Sequence, residues 1–102
     1  MRIEVIGRGL DVTEAIRTYA TTKLEHVGKH FDGVTGIVLT ITRHDHQHKG
    51  SFDVEVITSV PKHDAFVCHA KNEDLYAAID QAEQKATRQV TEFKNRLRES
   101  GR

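Results

Sequence analysis

The chain has 102 residues, 37% hydrophobic and 29% charged, which suits one folded domain with a single core and excludes a disordered chain. Fifteen Lys and Arg balance fifteen Asp and Glu, so any anion binding must come from how charge is distributed, with seven His held in reserve below about pH 6.5. A single Cys excludes an internal disulfide framework, no apolar run approaches a membrane span, and Met1-Arg2-Ile3-Glu4-Val5 does not open a signal peptide, so a cytoplasmic protein is expected.

Residues 2–8 alternate, with Ile3 and Val5 on one face, and predict a strand. Asp11 and Glu14 form a capping pattern for a first helix, with Thr13 as the alternative cap. Ile16, Tyr19, Ala20, Leu24 and Val27 then give one apolar stripe, and Gly28 offers a stop. Ile37, Leu39 and Ile41 alternate with Val38, Thr40 and Thr42 in a second, β-branched strand. A polar hairpin with Lys49-Gly50 near its tip leads to a third strand, where Phe52, Val54 and Val56 alternate with Asp53 and Glu55. Pro61 closes that strand, and Phe66, Cys68 and Ala70 face inward on a fourth while Val67 and His69 face away. From Asp74, a good N-cap, the residues Leu75, Ala78, Ile79, Ala82, Ala86, Val90, Phe93 and Leu97 keep a helical period without a Pro or Gly.

The order β-α-β-β-β-α predicts an α+β fold: a four-stranded mixed sheet with two helices packed on one face, similar to a double-stranded RNA-binding domain. The strand–helix–strand unit should be parallel with a right-handed crossover, and the later strands should pair as hairpins. The other sheet face is left partly open. Val38, Ile57 and Val67 on it leave room for a weak homodimer.

Sequence motifs for nucleotide cradles, serine hydrolases and zinc proteases are absent. Cys68 reads as a small buried hydrophobe rather than a nucleophile, since alternation turns His69 to the opposite face. Asp53 and Glu55 share a wet strand face and read as solvated carboxylates. His44, His46 and His48 would point the same way from an extended backbone. Converging imidazoles can bind a transition metal, but no Cys accompanies them and they lie at a hairpin end, so a polar turn is the plainer reading. No dedicated metal site, cofactor or enzymatic activity is expected.

The polar face of the second helix carries Gln81, Lys85, Arg88, Glu92, Asn95 and Arg96 in one strip. The first helix offers Lys23, His26, Lys29 and His30. Side by side on a sheet, the two strips would flank a shared outer surface able to reach phosphates and ribose hydroxyls. Glu83 and Glu92 would interrupt that positive field, and by pattern alone a solvated helix face is the simpler account.

The block Glu73-Asp74-Leu75-Tyr76-Ala77-Ala78-Ile79-Asp80, followed by Lys85, Arg88-Gln89 and Lys94, resembles the ribosome hibernation promoting factor family, which includes ribosome-associated inhibitor A and the sigma-54 modulation proteins. Asp11-Val12-Thr13-Glu14-Ala15-Ile16-Arg17, Lys23-Leu24 and His30-Phe31-Asp32 are similar to the family's first helix, whereas residues 43–51 and 57–65 match poorly. The resemblance implies a protein that sits in the messenger channel of the small ribosomal subunit, near the A and P sites. There it would contact 16S ribosomal RNA and, under stress or in stationary phase, block transfer and messenger RNA. By position it implies Lys23, Lys29, Lys85, Arg88, Lys94 and Arg96 as the RNA-binding residues. Glu92 stands where the family is usually basic. Residues 1–102 resemble the short form, a single ribosome-binding domain without a C-terminal dimerisation domain, which in some organisms acts with a separate ribosome modulation factor. No DNA or membrane partner is implied. The rival readings are a general double-stranded RNA-binding module, and a metal-binding or protein-interaction domain acting through His44, His46 and His48.

Overall fold

A computed structural model describes residues 1–45 and 50–100 of the chain. Its elements run β1 (Arg2–Arg8), α1 (Glu14–Lys29), β2 (Gly36–Asp45), β3 (Gly50–Ser59), β4 (Phe66–Asn72) and α2 (Leu75–Ser100). The strands form one sheet in the order β1-β2-β3-β4. β1 pairs parallel with β2, placing Ile3 beside Ile37, while β2–β3 and β3–β4 are antiparallel. The mixed four-stranded sheet is the one the sequence pattern implies: parallel neighbours need a crossover, which α1 supplies, and the later strands pair antiparallel in chain order.

Alternation decides which sheet face is covered. Val5, Ile37, Leu39, Ile41, Val54, Val56, Cys68 and Ala70 are buried on one face, with Thr58 among them. They meet Ala20, Leu24 and Val27 of α1 and the stripe from Leu75 to Phe93 of α2. α2 lies over β3 and β4, while α1 packs beside α2 and over β1. Leu97, the last residue of the expected stripe, is 44% exposed, beyond the end of the core. On the uncovered face Val38, Ile57 and Val67 stand in one register row, and the neighbouring row carries Thr40, Glu55 and His69.

The helix ends follow side-chain chemistry. Thr13, not Asp11, caps α1: its hydroxyl accepts the amide of Ile16 at 3.2 Å from an extended backbone. Asp74 caps α2 as expected, accepting from the amide of Tyr76 at 3.0 Å. Gly28 lies inside α1, which runs on to Lys29. A little further on, Gly33 lies against the ring of Phe31, and a Cβ there would displace that ring. That close approach fixes how Phe31 sits at the end of α1.

An edge strand exposes backbone groups that invite pairing with another strand. On β4 two of them are taken by α2: Lys85 Nζ donates to the carbonyl of His69 at 2.6 Å, and Gln89 Nε2 donates to that of Val67 at 3.0 Å.

Candidate functional site

The six cations singled out in the sequence do not form one surface; α2 separates them. Successive residues of a helix turn by about 100°, so Lys94 falls about 120° round the axis from Arg88. Lys85 and Arg88 line a groove between α2 and the β4 edge, with Lys71, Gln81 and Gln84. Lys94 lines a different groove, with Lys29 and His30 at the end of α1 and Leu97 and Arg98 on α2. Arg96 is exposed and borders neither.

Lys23 belongs to the seam between the helices. Its ammonium lies 3.3 Å from Asp80 Oδ1, which also accepts the Tyr19 hydroxyl at 2.6 Å. The Tyr19 ring in turn packs edge-on against Tyr76 at 4.8 Å. The shared hydrogen bond to Asp80 raises the pKa of Lys23 above the ordinary lysine value and that of Tyr19 above the ordinary phenol value. Lys23 therefore stays charged, but with a carboxylate already beside it.

His26 and Glu83 form the next rung of this seam, with His26 Nδ1 2.6 Å from Glu83 Oε1. Glu83 is only 7% exposed, so it does not interrupt the outer positive field as its sequence position suggested. It is a buried carboxylate satisfied from the neighbouring helix. Glu92 does remain on the outer strip, 3.4 Å from Arg88 Nε in an i,i+4 pair. Of the expected first-helix strip, Lys23 and His26 thus face α2, and Lys29 and His30 reach the second groove.

Two groups of residues were missed from sequence. Lys71 sits on the open-face side of β4 by alternation, which points away from the helices; it reaches the first groove because β4 is the edge strand. Arg98, Phe31 and Leu97 join the second groove through packing between chain segments more than sixty residues apart.

The other candidate chemistry is quickly placed. Cys68 is buried, and its thiol donates to the Ala82 carbonyl at 3.4 Å; burial pushes its pKa up. Glu55 on the open face pairs with His69 at 3.0 Å. Of the histidine cluster, His44 is the penultimate residue of β2, opposite Ser51, while His46 and His48 lie outside the described residues. Among the described residues no group of three or more His, Cys, Asp or Glu could hold a metal, and no helix is long and apolar enough to cross a membrane.

Residues 3–98, which hold the seam and both grooves, match the model of the sigma 54 modulation protein / S30EA ribosomal protein family. The chain belongs to that family. S30EA relatives include the ribosome hibernation promoting factor of Azotobacter vinelandii, 32% identical over 96 residues that cover 94% of this chain and 85% of that protein. A ribosome hibernation promotion factor of Staphylococcus aureus is 28% identical over the whole chain, which spans 53% of the longer protein. Among solved S30EA-like structures, the N-terminal domain of Thermus thermophilus Protein Y superposes with a TM-score of 0.79 at 30% identity, covering 91% of this chain and 99% of that one. A ribosomal subunit interface protein from Coxiella burnetii shares the fold with a TM-score of 0.80 at 21% identity, covering 93% and 99%.

Proposed function

We propose that this chain binds the small ribosomal subunit and silences translation, acting by occupation and not by catalysis. It lies in the messenger channel near the A and P sites, contacts 16S ribosomal RNA with the cations of α1 and α2, and excludes transfer and messenger RNA. The compartment is then the cytoplasm.

The observation that carries this reading is the family match over residues 3–98 together with two cation-lined grooves that flank α2. The zero net charge is compatible with it because several carboxylates are taken up elsewhere. Glu83 is buried on His26, and Glu55 faces the open side of the sheet beside His69. Lys71, Lys85 and Arg88 are left together on one flank of α2, and Lys29, Lys94 and Arg98 on the other.

The test is co-sedimentation with purified small subunits across a salt series. Each phosphate contact releases counterions, so log affinity should fall linearly with log salt. A Lys85→Glu/Arg88→Glu double variant should bind weakly, with the salt slope reduced by about two if each side chain meets one phosphate. Wild-type protein that fails to bind small subunits at any salt concentration rules the reading out.

A further inference from the structure

The second groove differs from the first in holding two large apolar side chains among its cations, where the first has only Ala70. It is an open cleft of about 530 Å³ between the end of α1 and the last turns of α2. That volume lies within the range of small-ligand pockets. Lys29, Lys94 and Arg98 supply three fixed positive charges, and Asp32 is the one carboxylate among its lining residues. Phe31 and Leu97 line the same cleft.

Neither apolar group is explained by the core alone. Leu97 is 44% exposed although it continues the α2 stripe in register. Phe31 is only partly buried, yet it is held firmly: its ring meets Phe93 edge-on at 5.7 Å, and Phe93 is backed by Phe66 at 5.2 Å. Gly33 leaves room for this ring and no more. The cleft thus has an apolar floor, packed on the core through Phe31, beside its three cations.

A phosphate alone would need the cations and not the floor. A duplex would offer its phosphates but keep its base faces stacked inside. An unstacked nucleotide presents both, an anionic phosphate and a flat apolar base. We infer that this groove is a subsite for a single unpaired nucleotide of RNA, with the base against Leu97 and Phe31 and its phosphate held by Lys29, Lys94 and Arg98. The inference rests on the proposed ribosome binding and deepens it. The first groove, lined by three cations and two glutamines, holds backbone phosphates; the second holds a base.

The experiment uses the full chain with small subunits and two variants at an exposed position, Leu97→Ser and Leu97→Lys. A lost base contact releases no counterions. Leu97→Ser should therefore weaken binding on the order of tenfold, with the salt slope unchanged. Leu97→Lys should weaken it too, whereas a purely electrostatic groove would bind more tightly with the added charge. Base-modifying reagents should find one unpaired ribosomal RNA base protected by the wild-type protein and reactive in the saturated Leu97→Ser complex.

Wild-type affinity in Leu97→Ser, or tighter binding by Leu97→Lys, overturns the subsite while leaving the ribosome reading intact. Weaker binding by Leu97→Ser without any protected base assigns the groove to an acidic protein segment and overturns the nucleotide assignment. A wild-type protein that does not bind small subunits overturns both readings at once.

Discussion

Thr58 shows what alternation can and cannot reveal about a single residue. It occupies an inward position of β3 and has no exposed surface, but its hydroxyl finds no partner among the described residues. A buried unpaired hydroxyl costs about 1–3 kcal/mol. Thr58→Val keeps the shape and removes that cost, so its urea midpoint should rise, by about 1 kcal/mol in stability. A fall would mean that the hydroxyl is bonded after all. Cys68 is the complementary case, because its inward placement was legible from the same alternation. Burial raises its pKa in the folded protein. The thiol's contribution to stability is thus fully present below the unfolded thiol value, about 8.5, and is lost as pH rises through the folded value. Unfolding midpoints measured from neutral to alkaline pH should decline above that point, and Cys68→Ala should decline less steeply. Thiol labelling at neutral pH should be slow until the protein is unfolded.

At the scale of elements, strands and helices were legible because each buries one face, and both sequence periods show through. The start of α1 was less so: Asp11 and Thr13 both fit a capping pattern, and only the backbone conformation places Thr13 at the cap. The seam between the helices was not legible at all. Tyr19 meets Asp80 and His26 meets Glu83 across about sixty residues of sequence, and charge patterning along one helix carries no information about the other. The sequence pattern consequently puts Glu83 on the surface, whereas the fold buries it. Glu92 was read correctly as lying in the outer strip. Its exposed pair with Arg88 contributes little to stability, about 0.3–0.5 kcal/mol, but it occupies a cation proposed to meet RNA. Glu92→Lys frees Arg88 and adds a charge. Its affinity for small subunits should exceed wild type several-fold at low salt, with the gap closing as salt rises. Equal affinities at several salt concentrations would sink the idea.

For the whole molecule, the two-layer architecture was legible and its sidedness followed from it, but the division of the cations by α2 did not. Lys85 and Lys94 look alike in sequence; which flank each occupies matters only once β4 lies on one side of the helix and the end of α1 on the other. This arrangement also separates the proposed function from its nearest rival. A general duplex binder would lie along one side of a duplex, contacting two successive minor grooves and the phosphates between them. Two grooves on opposite flanks of a helix, one with an apolar floor, suit a folded RNA surface of particular shape. An excess of free RNA duplex should therefore displace little protein from small subunits, as read by sedimentation; ready displacement would favour the duplex binder.

The hydrogen bond from Lys85 to the carbonyl of His69 ties a cation of the first groove to the border of the sheet. In the free protein the ammonium closes the border of the sheet, a safeguard against chains adding to one another strand by strand. Gln89 holds the same border one helical turn further on, through the carbonyl of Val67. Two side chains of α2 thus guard a strand border against polymerisation, with no further strand among the described residues to cover it.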